Sequence, residues 1–217
     1  MGFYRGPRVI QDGLVLALDA GSTRSYPGTG TTWTDLSGNG NHATLSNSLM
    51  GTTTAGVMTC GTYDADVPAS TDWSLTGDFT VESWIYPTSF LDYNCIVYTV
   101  LTGGIWFGRL DGSGFGLREG GVENVIYTMT LPTLDVWSHT LVTRIGSTIN
   151  LYVNGVDVAE VTDSRSFDDQ NGLSLANDGG AEKFIGEISI IKIYKDRGFS
   201  QADVTQNFNA QKGRFGL

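Results

Sequence analysis

Apolar and polar residues alternate with period two along most of the chain, and each alternating run predicts a β-strand with distinct faces. In Asp78–Pro87 the pattern places Phe79, Val81, Ser83 and Ile85 on one face and Thr80, Glu82, Trp84 and Tyr86 on the other. Pro87 has no N–H to give a ladder and is expected to stop the strand there. Similar runs begin at Leu14, Ile96, Ile105, Val125, His139 and Ile149. Residues 184–194 are apolar on both faces, as in a strand buried between two layers. Clusters of Gly, Asn, Asp and Ser separate the runs and supply turn chemistry.

Two local signals sharpen this pattern. Asn154-Gly155 joins the runs 148–153 and 156–161, and Asn-Gly tolerates the positive φ angles of a type I′ hairpin turn. Ser200 with Asp203 three residues on predicts a helix start related to the capping box. Val204 and Phe208 then share a helix face, and Gly213 is expected to close the end. About ten strands and one short C-terminal helix predict an all-β, two-sheet antiparallel sandwich, with a closed barrel as the alternative. No compositional break divides the chain, so it reads as an N-terminal arm, 1–12, followed by a single domain, 13–217.

Composition narrows the classes. Aromatics at 11% with 17% charged residues exclude a disordered tail, and 29 glycines suit tight turns. A net charge of −10 argues against nucleic acid as a partner. The longest aliphatic run, Leu14–Leu18, is far shorter than the roughly 20 residues that span a bilayer. Without an apolar stretch near the N-terminus, no signal peptide is expected, which implies synthesis in a cytosol. Cys60 and Cys95 sit inside strand-like runs and read as reduced core residues.

A search for catalytic groups finds few. Glu82 is the one acid on its strand, and Glu187 is followed at the same-face positions by Ser189 and Ile191. Asp64 and Asp66 share a strand face without a third acid, while Asp168 and Asp169 are adjacent. A retaining glycosidase needs two carboxyl groups about 5 Å apart, and none of these patterns supplies them. His42 and His139, the only imidazoles, read as a loop residue against the first strand and a structural residue at a strand start. Neither lies near a Gly-x-Ser-x-Gly elbow, and no phosphate loop, dinucleotide fingerprint or zinc spacing occurs. The expectation is that this is not an enzyme.

Particular segments are familiar. Residues 13–45, with Gly13-Leu-Val-Leu-Ala-Leu-Asp-Ala-Gly21 and Trp33-Thr-Asp-Leu-Ser-Gly-Asn-Gly-Asn-His42, resemble the concanavalin A-like lectin/glucanase superfamily in its laminin-G-like jelly-roll branch. Phe79-Thr-Val-Glu-Ser-Trp-Ile85, Trp137-Ser-His139, Leu151-Tyr-Val-Asn-Gly155 and residues 184–194 match the strands of that branch in order. The opening Arg5–Leu14 and the ending Phe199–Gly216 are similar to the ends of such domains in tailed-bacteriophage virion proteins. The resemblance implies a jelly roll that serves as a virion structural protein, a capsid decoration or a small fibre or spike, with weak adsorption to cell-surface glycans. A soluble carbohydrate-binding module is the alternative, and a degenerate glycosidase a third reading. The Glu-x-Asp-x-x-Glu strand of laminarinase-like members is missing.

Within that resemblance, Tyr93, Trp106 and Arg109, with Tyr127 opposite, are candidates to line a sugar-binding sheet, although Trp84 and Trp106 also suit a core. Relatives that hold calcium at loop ends make Asp19, Asp35 and Asp178 candidates for a structural calcium; no other cofactor is expected. Charge adds one feature. Residues 1–10 carry +2 and residues 192–217 carry +3, against −15 in between. The first and last strands of such sandwiches are neighbours, so the two basic ends are expected to form one pole. Phe3, Tyr4, Arg5, Arg8, Lys212, Arg214 and Phe215 are then candidates for docking onto acidic capsid or fibre proteins. A homo-oligomer is expected, with a trimer by analogy.

Overall fold

The computed structural model describes residues 7–46, 56–61, 64–90, 93–99, 103–110, 114–120, 123–180 and 182–217. Three of the expected docking residues, Phe3, Tyr4 and Arg5, lie outside them. Seventeen strands are formed among the described residues. The first half of the chain supplies β1 (Leu14–Asp19), β2 (Thr32–Trp33), β3 (Ala43–Leu45), β4 (Met58–Cys60), β5 (Ala65–Val67), β6 (Ser74–Leu75), β7 (Phe79–Ser89) and β8 (Asn94–Thr99). Then come β9 (Ile105–Leu110), β10 (Gly114–Glu119), β11 (Glu123–Thr128), β12 (Ser138–Ile145) and β13 (Thr148–Val153). The last are β14 (Val156–Thr162), β15 (Phe167–Asp168), β16 (Leu173–Leu175) and β17 (Ile185–Lys195), before helix α1 (Gln201–Gln211).

These strands make two antiparallel sheets. The seven-stranded sheet runs β1-β17-β7-β12-β13-β14, with β4 also on β17; the eight-stranded sheet runs β11-β10-β9-β8-β16-β5-β3-β2. β6 and β15 form a small separate ribbon. The fold is a concanavalin A-like jelly-roll sandwich. Phe79, Val81 and Ile85 of β7 meet Phe107, Leu117 and Leu175 of the facing sheet in one core. Alternation explains the partition, since side chains two apart share a face and one face of each sheet is dry.

The outer face of the seven-stranded sheet is also covered. Helix α1 lies over it, capped as the sequence predicts: Ser200 Oγ accepts from Asp203 N, and Ser200 N donates to Asp203 Oδ2 (3.0 Å). Leu141, Tyr152, Tyr194, Phe199 and Val204 form a second apolar cluster beneath it. This accounts for β17, apolar on both faces because it has a layer on each side. Between sheet and helix sits a buried polar group centred on Glu82. His139 Nε2 lies 2.9 Å from Glu82 Oε1, Asn207 Nδ2 donates to Glu82 Oε2 (2.8 Å), and Lys192 Nζ is 3.4 Å from the same oxygen. Burial pushes the Glu82 carboxyl up, but Lys192, His139 and Asn207 together outweigh it and hold its pKa at about 2.

Two boundaries differ from expectation. β7 continues through Pro87 to Ser89, because β12 stops pairing at Ile85 and the proline needs no donor on that side. Pro87 O instead accepts from Asp135 N (2.8 Å). The helix does not end at Gly213; a 3-10 turn, Lys212–Phe215, follows, and Gly216 with φ +77° makes the left-handed cap. The Asn154-Gly155 hairpin forms as predicted, with φ angles of +51° and +79°. Both cysteines are buried and free. No helix among the described residues is long and apolar enough to cross a membrane.

Candidate functional site

Strand register brings residues far apart in sequence into one line across the eight-stranded sheet. Thr44 faces Asp66, Asp66 faces Ser174, Ser174 faces Tyr98, Tyr98 faces Trp106, and Trp106 faces Arg118. Their neighbours along each strand (Ala65, Leu175, Val97, Phe107 and Leu117) belong to the core, so this line projects away from it. Asp66, Tyr98 and Ser174, with Asp178 and Gly179 of the following loop, line an open pocket of about 320 Å³. Ser174 Oγ donates to Asp66 Oδ1 (3.0 Å). The loop is shaped by Ala176 and Gly179, both at positive φ, and anchored where Asn177 Nδ2 donates to Asp64 Oδ2 (2.5 Å).

Beside the pocket the line becomes a closed stack. The Arg118 guanidinium sits 4.6 Å from the centroid of the Trp106 ring and 4.8 Å from that of Tyr93. It also donates to Glu182 Oε2 (2.8 Å). Tyr93 meets Trp106 edge-on at 6.1 Å. Burial, then a hydrogen bond with Asp178, raise the Glu182 pKa against the opposing pull of Arg118. Burial and then the charges of Asp178 and Asp169 raise that of Tyr98. The pocket is therefore rich in hydrogen-bond acceptors, with one aromatic hydroxyl and a negative potential.

The expected sugar-binding residues do not converge as a group. Trp106 is fully buried beneath Arg118 and offers no open ring, a correction to its reading as a platform. Arg109 falls on the alternate register, facing Asn94 and Phe115, with its guanidinium 5.3 Å from the Phe90 ring centroid. Tyr127 does share the outer face and is exposed; it faces Gly116, which faces Gly108, so a bare shelf separates it from the pocket. Tyr93 serves the Arg118 stack. Asp66, Tyr98 and Ser174 were missed as binding residues. The shared face of Asp64 and Asp66 was legible, but only register reveals what stands opposite.

A family model described as the concanavalin A-like lectin/glucanases superfamily matches residues 60–205. The chain belongs to this superfamily. No curated protein matches it in sequence. Among solved structures it is similar to domain 4 of AbnA, the extracellular arabinanase of Geobacillus stearothermophilus, solved with arabinotriose. Identity is 15% and the TM-score 0.64, over 90% of this chain and 98% of that one. It is also similar to the binding domain of botulinum neurotoxin DC solved with SialylT, at 12% identity and TM-score 0.67 over 92% of this chain and 52% of that one. The Trypanosoma rangeli sialidase matches at 14% identity and TM-score 0.65, over 96% of this chain but only 35% of the sialidase. At these identities the likeness is one of fold.

Within this superfamily member the carboxylates are mostly spoken for. Asp35 accepts from Ala17 N (2.8 Å), Ser37 N (2.9 Å), Ser37 Oγ (2.6 Å) and Asn41 N (3.1 Å), so protein donors fill the lone pairs a calcium would need. Asp19 is paired with Arg214 Nη1 (2.6 Å), and Asp178 accepts from Gly180 N (2.9 Å). The three aspartates do not share one site, and no cluster of three or more His, Cys, Asp or Glu fit for a metal forms among the described residues. These residues do not fit the calcium expected from the resemblance.

The C-terminal part of the basic pole is tied to the body of the domain. β1 pairs with β17, and Gln206 Nε2 donates to Arg8 O (2.8 Å), so the two ends of the chain do meet. Arg214 is engaged by Asp19, Ser189 and Gly56 O, and a Cβ on Gly21 would collide with its guanidinium. Phe215 stacks on Trp84 at 4.1 Å, and Lys212 Nζ lies 5.4 Å from the Phe208 centroid. Arg214, which stays exposed, and the half-buried Phe215 thus fasten the C-terminal segment to the body.

Proposed function

We propose that this chain is a non-catalytic, lectin-like domain that adsorbs to glycans through the outer face of its eight-stranded sheet. The observation that carries this reading is the open pocket lined by Asp66, Tyr98, Ser174 and Asp178. Carboxylate oxygens accept from sugar hydroxyls, and a tyrosine beside them adds a ring edge and a hydroxyl, the mixed apolar and polar lining that small-ligand sites use. The arabinotriose and SialylT held by similar folds support a sugar as ligand. Against hydrolysis, Glu82 is wholly buried, and the Glu-x-Asp-x-x-Glu strand of laminarinase-like members is missing.

The proposed setting is a phage-type virion, on its capsid or in a small fibre or spike, supported by the sequence character of residues 5–14 and 199–216. Many weak copies on one particle would add avidity without a tight single site. A glycan array probed with the purified chain and with Asp66→Ala tests the adsorption. Binding of one neutral sugar class that Asp66→Ala abolishes is expected; indifference to the substitution overturns the pocket assignment. Mass spectrometry of purified particles tests the setting, and absence of the chain from them rejects it.

A further inference from the structure

The outer face of the seven-stranded sheet holds a second cavity, across the sandwich from the pocket at Asp66. It measures about 230 Å³ and opens where β1, the N-terminal arm, the loop 35–41 and the end of α1 meet. Leu14, Ala17 and Leu36 give it an apolar wall, and Asp19, Lys192 and Gln211 bring polar groups to it. An apolar wall with a few convergent polar groups is the usual make-up of a small-ligand site.

Each polar group turns one part to the protein and keeps another for the cavity. Lys192, only 6% exposed, gives an N–H to Gln211 Oε1 (2.8 Å) and lies 3.4 Å from Glu82 Oε2, which leaves a third N–H. Gln211 commits its carbonyl to Lys192 and Trp84 Nε1 (3.2 Å), so its amide N–H groups have no acceptor among the described residues. Asp19 receives Arg214 Nη1 (2.6 Å) and Gly21 N (2.9 Å) on Oδ1, and Oδ2 stays open. Donors and an acceptor therefore stand at one cavity beside an apolar wall.

We propose that this cavity is a second sugar site, which takes the acetamido group of an N-acetylhexosamine. Charge and hydrogen bonding select that group. An anionic ligand brings its charge against Asp19, and a cationic one against Lys192. A neutral secondary amide meets both: its oxygen accepts from Lys192 and Gln211, and its N–H donates to Asp19 Oδ2. The acetyl methyl then lies on Leu14, Ala17 and Leu36. A plain hydroxyl at the same carbon of the sugar supplies no methyl and reaches one of the two polar sides, so the unsubstituted hexose leaves buried groups unpaired. The amide follows from this cavity alone; a sugar as its carrier rests on the lectin-like reading.

Chemical-shift titration of the full isotope-labelled chain with the methyl glycoside of N-acetylglucosamine tests this. Saturable shifts are expected at the amides of Ala17, Asp19 and Leu36, with methyl glucoside and glucosamine each weaker by about tenfold or more. Shifts at Asp66, Tyr98 and Ser174 report the other pocket, so either site can fail without the other. Leu36→Trp, which fills the cavity while keeping the backbone bond from Leu36 N to Ala17 O, should weaken binding by about tenfold or more. The comparison of ligands on the wild type needs no variant to fold. Equal binding of methyl glucoside, no shifts at Ala17, Asp19 and Leu36, or full binding by Leu36→Trp overturns the proposal. Equal affinity for N-acetylglycinamide, an amide without a sugar ring, overturns the sugar assignment.

Discussion

Lys192 and Glu82 face each other in register on neighbouring strands, and their charged groups stand 3.4 Å apart almost out of reach of solvent. This pair connects the sheet to the helix and the N-terminal arm on its outer face. Asn207 of the helix donates to Glu82 while its Oδ1 accepts from Ile10 N (2.9 Å), and Gln211 Oε1 accepts from Lys192 Nζ (2.8 Å) and Trp84 Nε1 (3.2 Å). Sheet, helix and N-terminal arm are thereby tied through one carboxylate.

Removing one partner of a buried pair leaves the other uncompensated. Lys192→Met is expected to lower the unfolding free energy by about 3–5 kcal/mol. Urea denaturation measures it, and a loss under about 1 kcal/mol would show that Glu82 is satisfied by His139 and Asn207 alone.

Acid sensitivity follows with a definite sign. The Glu82 pKa is depressed from 4.5 to about 2 on folding. Its stabilisation is therefore fully present above the unfolded value and lost as pH falls from about 4.5 toward about 2. Thermal melts across that window should decline more steeply for the wild type than for Glu82→Gln. Parallel profiles would reject this carboxylate as a source of acid sensitivity.

Phe215 stacks 4.1 Å from Trp84 and meets Trp137 at a tilt, 4.9 Å away. Phe215→Ala should cost about 1–3 kcal/mol and lower the melting temperature, since it removes both burial and ring contact. A free docking residue would give no change in stability.

The sequence made the short-range features legible and hid the long-range ones. The Asn154-Gly155 turn and the Ser200–Asp203 cap depend on residues within four positions of each other, and both formed as expected. β2, β3, β6, β15 and β16 are two or three residues long, too short for a period to register, so about ten strands were legible where seventeen are formed among the described residues. The pocket was hidden for a different reason. Asp66, Tyr98 and Ser174 lie on three strands whose adjacency is set by register, and nothing local to any of them records it. Trp106 has the same composition signal whether open or covered; the covering group, Arg118, stands opposite it on the next strand.

Arg118 holds both its aromatic neighbours and Glu182. Arg118→Ala is expected to uncover Trp106, shift its fluorescence to the red and cost about 1–2 kcal/mol through lost cation–π and ion-pair contacts. Trp106→Phe provides the reference that assigns the spectral change, and an unshifted spectrum would mean that Arg118 does not shield the ring.

The most direct measurement is chemical-shift mapping of the isotope-labelled chain titrated with the neutral oligosaccharide that an array selects. The account predicts saturable shifts centred on Asp66, Tyr98, Ser174 and Gly179, with the sugar recovered intact. Shifts centred on Trp137 and Phe215 instead, or progressive cleavage of the oligosaccharide during the titration, would contradict it.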